Sequence, residues 1–343
     1  MSAAPGFRPP GRPDLSDCAL VWHAATDAYM ARLNRPLPSP YLDPLIGLLD
    51  HLLATDGERF LVAVRPPVPG LPSRRPDRVV AFGVAAQREH VWYLSQLYVL
   101  PEEQGHGIGR SLLVQILPSI EQAPEAAGPA GEEGLPAGPR SGLSNRRDGV
   151  LATCTDSVQP IASALYARFG IVPRMPVLNL VGTPAEPSRL PPLPADVAAI
   201  PIEVPGRAAA AGGLDEVIAA IDRSVLGYAH ARDHAFLRSG GRTGFLYLTS
   251  GGDPLGYGYS SEAGRFGPVA LLDETLTAPV LSHLMTEIRP RGATSAWVPG
   301  ANDRAMVALL RAGLRIEGFP AQLCWTRPFG AFERYLPAGL ALL

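Results

Sequence analysis

The chain has little of what several classes of protein depend on. Its 343 residues include only 3 cysteines, Cys18, Cys154 and Cys324. They are scattered and never form a C-x-x-C pair, which argues against a disulfide framework and against a zinc site. They read as buried free thiols. Charged residues make up 18% and nearly cancel, at a net charge of -2. No electrostatic argument therefore favours nucleic acid or an anionic membrane as a partner. No apolar run approaches the roughly 18 residues of a membrane span, and the start, Met-Ser-Ala-Ala-Pro-Gly-Phe-Arg, lacks the apolar core of an export signal. These absences predict a cytoplasmic protein with no metal, no nucleic acid and no membrane among its partners.

What is present points to two domains. At about 150 residues per domain the chain exceeds one compact α/β core, and a hydrophobic content of 46% can fill two. The most informative stretch is Leu97-Tyr-Val-Leu-Pro-Glu-Glu-Gln-Gly-His-Gly-Ile-Gly-Arg110. It joins a strand to a helix through a loop almost without side chains. Gly105, Gly107 and Gly109 let the backbone take left-handed or crowded conformations and bring its N-H groups close to a ligand. The following helix adds unpaired N-H groups and the positive end of its dipole, a combination suited to phosphate. Spacing excludes two of the three glycine-rich cradles that fit this description. A P-loop needs Lys then Ser or Thr after its last glycine, where this chain has Arg110-Ser111. A dinucleotide fingerprint needs a third glycine where Arg110 stands.

What remains, Gln104-x-x-Gly107-x-Gly109 between a hydrophobic strand and an amphipathic helix, resembles the pyrophosphate loop of the GNAT superfamily of acyl-CoA-dependent N-acyltransferases. The segment Gln159-Pro-Ile-Ala-Ser-Ala-Leu-Tyr166-Ala-Arg-Phe-Gly170 is similar to that superfamily's second signature, Asn-x-x-Ala-x-x-x-Tyr-x-x-x-Gly, with Gln159 in the Asn position. The resemblance implies an α/β fold of the α+β kind, a mixed and mainly antiparallel sheet flanked by helices. It also implies acetyl-CoA as cosubstrate, with the backbone at Leu97, Tyr98 and Val99 along the pantetheine arm. The pyrophosphate would then lie on Gln104, Gly105, His106, Gly107, Ile108, Gly109 and Arg110, Gln159 would also bind the coenzyme, and Tyr166 would protonate the departing thiolate.

Proline and glycine punctuate the rest. Asp14 to Leu33 and Leu42 to Ala54 read as helices, and Phe60 to Val64, Val79 to Ala86 and Trp92 to Leu100 as strands, the first two joined by a proline-rich hairpin loop. A helix over 107-118 and a strand over 149-155 follow. Between them 121-148, rich in Ala, Pro, Gly and Glu, reads as a disordered insertion. The first domain is placed at 14-182, a proline-rich linker at 183-199, and a second domain at 200-343. The second half repeats the order of elements: helices over 215-224 and 230-237, a hairpin over 244-249 and 254-260, a strand over 266-272, a helix over 277-288, a strand over 294-298. Asn302-Asp-Arg-Ala305-Met-Val-Ala-Leu309-Leu-Arg-Ala-Gly313 copies the second signature, but Leu309 replaces the tyrosine and Asp273-Glu274-Thr275 replaces the glycine loop. This copy is expected to share the fold without binding coenzyme A in the usual manner, since two carboxylates repel a pyrophosphate.

The resemblance implies direct attack of an amine on the thioester, the Leu97 N-H polarising the carbonyl. The amine must lose a proton, yet Ser95, beside Gln96, stands where many members keep a Glu. Asp27, His51, Glu89 and His90 are substitutes. Trp22, Asp27 and Tyr29 could line the acceptor pocket, although Trp22 reads more readily as core. Asp156 and Ser157 read as caps of the helix near Gln159. His230, Asp233 and His234 have the spacing of a helical metal pair, but without further ligands they read as a surface face. The expected function is acetylation of a small-molecule primary amine, with a protein amine as an alternative acceptor and a homodimer left open. The competing readings are a non-catalytic acyl-CoA sensor and a purely structural tandem module.

Overall fold

The computed structural model describes residues 4-66, 77-118, 149-184, 189-202 and 212-343. The expected insertion at 121-148 lies outside these residues, as does most of the proline-rich hairpin loop. Chain contacts divide the protein into two compact units. Unit 1 comprises Met1–Gln87, Trp92–Leu151 and Ala164–Gly170; unit 2 comprises Arg88–Val91, Ala152–Ser163 and Ile171–Leu343.

Unit 1 opens with β1 (Gly6–Arg8), then α1 (Leu15–Ala31) and α2 (Asp43–Asp56). The strands β2 (Phe60–Arg65), β3 (Arg78–Arg88) and β4 (Val91–Val99) follow and lie in the order β1-β2-β3-β4. β1 runs antiparallel to β2, with Gly6 opposite Val64, and β2 antiparallel to β3, with Phe60 opposite Val84. β3 is central: Val79 to Ala86 are buried almost without a break, the pattern of a strand covered on both faces. The helix α3 (Ile108–Ile116) covers one face. Its apolar residues Ile108, Leu112, Leu113 and Ile116 follow helical spacing and are all buried. A Cβ at Gly83 would come within 3.1 Å of Leu97 and 3.2 Å of Ile116. The absent side chain at Gly83 is what lets α3 lie close to the sheet.

Unit 2 contains most of β5 (Val150–Asp156), the start of α4 (Pro160–Ala167), and β6 (Val172–Gly182). It continues through β7 (Val197–Ile202), α5 (Gly212–Leu226), α6 (Ala231–Ser239), β8 (Thr243–Thr249), β9 (Pro254–Ser260) and β10 (Val269–Leu271). The remaining elements are α7 (Thr277–Glu287), β11 (Thr294–Pro299), α8 (Asp303–Arg311), β12 (Arg315–Trp325) and β13 (Tyr335–Leu336). One set of strands has the order β5-β12-β6-β11, the other β13-β10-β9-β8-β7. Leu180 of β6 packs into one cluster with Tyr247, Leu271, Leu284, Val298 and Leu309.

Three differences from the sequence reading have local causes. β6 and β12, 11 residues each, carry prolines and a glycine that obscure alternation, and β12 lies between β5 and β6 with Cys324 opposite Thr153 and Leu323 opposite Met175. The contact units therefore do not follow the sequence boundary near 182. Residues 197-199, expected in the linker, begin β7, because Val197 to Ile202 pair in register with Thr249 to Gly244; residues 185-188 lie outside the described part. The strand expected over 266-272 shrinks to Val269–Leu271, since Pro268 has no N-H to offer a ladder.

Candidate active site

β4 delivers the chain to the glycine loop. Along it Val91 to Leu94 are buried, whereas Leu97, Tyr98 and Val99 are half-buried. Tyr98 stacks on Phe82 with ring centroids 5.8 Å apart and meets the edge of Trp22 at 6.4 Å. Trp22 is half-buried and belongs to an aromatic row on the sheet.

After β4 a turn of 3-10 helix, Pro101–Glu103, turns the Glu103 carboxylate inward onto Arg65, which donates from Nε at 2.9 Å and from Nη2 at 2.9 Å. Both side chains are largely buried. This forked pair is a footing for the loop, and the sequence reading missed it because a Glu between Pro and Gln reads as surface. Gln104 is exposed, and its Nε2 donates to the Val99 carbonyl at 3.0 Å and closes the loop on itself. His106 bonds through Nδ1 to the Glu103 carbonyl at 3.3 Å.

Gly105 and Gly107 have φ of 81° and 79°, the left-handed region that glycine alone enters without cost, and a Cβ on either would meet nothing within 4 Å. Conformation, not crowding, demands glycine there. Gly109 differs from the expectation: its φ is not positive, and a Cβ would make ordinary contacts with Val99 at 3.5 Å and Leu165 at 3.9 Å. The N-H groups of Gly105, His106 and Gly107 have no acceptor among the described residues, and those of Ile108, Gly109 and Arg110 open α3, where a helix leaves its first donors unpaired. Ile108 sends its side chain into the core and leaves its N-H at the helix mouth. Arg110 is exposed in the first turn and forms no ion pair among the described residues. The result is a run of backbone donors beside one guanidinium, a site built for an anion.

Tyr166 lies in α4, 6% exposed. Its neighbour Leu165 is the residue that a Cβ on Gly109 would touch, so within unit 1 this turn of α4 adjoins the start of α3. Gln159 precedes α4, its carbonyl accepting the Ser163 N-H at 3.2 Å and its own N-H donating to the Asp156 carbonyl at 3.0 Å.

The substitute bases separate. Glu89 and His90 form the exposed turn before β4 and belong to unit 2, whereas the glycine loop belongs to unit 1. Glu89 accepts from Arg223 at 2.8 Å. Asp27 accepts the Leu37 N-H at 2.8 Å and holds the loop after α1. Gln96 was named only as a neighbour, yet its side chain is buried with Oε1 unpartnered among the described residues, and so is the Thr26 hydroxyl. Burial pushes the Cys324 thiol up to about 12 and the Cys154 thiol well above its usual value, which removes both as nucleophiles at neutral pH.

The corresponding loop of unit 2 is filled by its own side chain. Asp273 Oδ1 accepts from the Thr275 N-H at 2.9 Å and the Thr275 hydroxyl at 2.7 Å, and those bonds hold its carboxyl below the usual range. Leu309 is fully buried core. His230 and His234, expected on a surface face, are buried: Asp233 turns to Arg88, with oxygens 2.7 and 2.8 Å from the guanidinium, and Asp222 of α5 approaches both imidazoles.

Comparison with known proteins agrees with this geometry. Residues 23-127 match the model of the Acetyltransferase (GNAT) family. A solved structure from Pyrococcus horikoshii, described as an acetyltransferase, is similar at a TM-score of 0.64 and 13% identity, over 100% of this chain and 97% of that one. A GCN5-related N-acetyltransferase from Sphaerobacter thermophilus gives 0.56 at 15% identity, over 95% and 96%. A tandem GNAT protein from the clavulanic acid biosynthesis pathway gives 0.50 at 14%, over 94% and 99%. These identities establish a shared fold. No curated protein is significantly similar in sequence.

Proposed function

We propose that the chain transfers an acetyl group from acetyl-CoA to the primary amine of a small molecule, using the site in unit 1; residues 23-127 match the GNAT acetyltransferase family, and 94% of the chain is similar in fold to a tandem GNAT protein. The observation that carries this reading is the loop: free N-H groups from Gly105 to Gly107, followed by the open end of α3, on the Glu103–Arg65 footing. Such a cradle suits the pyrophosphate of coenzyme A, with Arg110 as a further cation.

In this mechanism the half-buried backbone of Leu97 to Val99 lies along the pantetheine arm, and the Leu97 N-H donates to the thioester carbonyl. The amine enters as its free base. With no carboxylate at Ser95 or Gln96, the proton that the nitrogen carries in excess once it has attacked leaves through water and restores the Tyr166 hydroxyl after that group has acted. As the C-N bond forms and the C-S bond breaks, the Tyr166 hydroxyl gives its proton to the thiolate sulfur.

Calorimetric titration of acetyl-CoA into the wild type and a Gly107→Glu, Gly109→Glu variant tests the cradle. Single-site micromolar binding lost in the variant is the expected result; no binding by the wild type removes the enzymatic reading. The lack of a carboxylate at Ser95 and Gln96 favours one second reading, a non-catalytic acyl-CoA sensor. Replacing Tyr166 by Phe separates the two. A catalytic role predicts a fall in turnover of about 10²-fold or more with coenzyme affinity unchanged, and unchanged turnover takes Tyr166 out of the mechanism.

A further inference from the structure

Unit 2 contains a buried cluster that the acetyl-transfer site does not use. The inner face of α5 presents Ile218, Ile221, Val225 and Leu226 to the core, and among them Asp222 is fully buried. A lone carboxylate in such a place is costly unless its oxygens are engaged. Oδ1 accepts from the Tyr257 hydroxyl at 2.6 Å. Oδ2 faces two imidazoles, His234 Nε2 at 3.0 Å and His230 Nδ1 at 3.3 Å. His230 precedes α6 and His234 sits in its first turn, so the two rings stack with centroids 4.3 Å apart and planes 21° from parallel. His234 also meets Tyr257 edge-on at 5.0 Å.

Hydrogen bonding alone leaves this cluster incomplete. His230 Nδ1 approaches Oδ2 but makes no hydrogen bond, although the side chain is 98% buried. A buried nitrogen left so has lost its water without gaining a partner, which is unfavourable. Three donor atoms, one each from Asp222, His230 and His234, lie within 4.8 Å of one another. Bonds of 2.0–2.2 Å in a tetrahedral zinc site set ligand atoms about 3.3 Å apart, close to the 3.0 and 3.3 Å seen around Oδ2. Imidazole nitrogens with a carboxylate are a donor set for zinc and its transition-metal neighbours, not for calcium or magnesium. Tyr257 supplies the outer hydrogen bond that fixes a ligating carboxylate. Asp233 is no competitor, being paired with Arg88.

We propose that Asp222, His230 and His234 bind one Zn2+ ion, which staples α5 to α6. His230 ligates through Nδ1 and His234 through Nε2, Asp222 through Oδ2, and a water takes the fourth position. The side chains are sealed from solvent, so the ion enters as the unit folds and stays as structure.

The test refolds full-length protein from denaturant, after chelator treatment, with and without Zn2+ or Co2+. The expected result is one metal per chain by elemental analysis after exhaustive dialysis, visible Co2+ absorption of a four-coordinate site that Zn2+ quenches, and a higher thermal midpoint with metal. His234→Gln and Asp222→Asn abolish all three, while His23→Gln on α1 retains them. Wild-type protein that refolds without stoichiometric metal overturns the proposal and leaves a metal-free hydrogen-bond cluster. An unchanged Co2+ spectrum in the folded variants overturns it too. Should a variant not fold, the wild-type stoichiometry and Co2+ spectrum decide alone.

Discussion

Gly107 and Gly109 stand two positions apart in one motif and serve different ends. Gly107 holds a left-handed backbone at φ 79°, where any Cβ costs roughly 1–2 kcal/mol. Gly109 has helical backbone and room for a methyl group beside Val99 and Leu165. Gly107→Ala is therefore expected to lower stability by about 1 kcal/mol, whereas Gly109→Ala is neutral or stabilises by up to about 1 kcal/mol through helix propensity. Urea unfolding of the two variants measures this, and equal destabilisation would refute the distinction. The motif was legible because side-chain poverty between a strand and a helix has few other uses. It said nothing of Glu103, whose burial depends on Arg65 of a strand 38 positions earlier, nor of Gln96, whose orphaned oxygen is visible only once its surroundings are closed.

At the level of elements, the loop stands on the Glu103–Arg65 pair, so Glu103→Ala strands a largely buried guanidinium. Loss of one partner of such a pair costs about 3 kcal/mol, with Glu103→Gln costing less because it keeps an acceptor. Chemical denaturation checks this, and a cost under about 1 kcal/mol would mean that the loop holds without the pair. Helices and hairpins were read from sequence within a few residues because apolar periodicity is a local property: α1, α2, α3, α7 and β9 follow it. β6 and β12 escaped. Pro173 and Pro176 interrupt one, Gly318 and Pro320 the other, and what makes them strands is each other. The α6 histidines were misjudged for a related reason. Their helix is polar by itself, and the Asp222 that draws them inward belongs to the helix before it.

For the whole molecule, composition gives a direct assay. The 343 residues contain 30 basic side chains, and every one is arginine. Without a lysine the chain offers no side-chain amine to its own reaction. Incubation with acetyl-CoA is expected to leave its intact mass unchanged, apart from the terminal amine, while an added amine is consumed; internal acetylation seen by mass spectrometry would contradict this. The position of β12 has a bearing on how the protein is made. Ala321 hydrogen-bonds into register with Asp156 and Val177 on either side, strands roughly 160 and 140 residues older in synthesis. On the ribosome the edges that β5 and β6 offer to β12 therefore wait unpaired until β12 emerges. Slowing translation prolongs that exposure, so yield is expected to depend on chaperones that shield open strand edges.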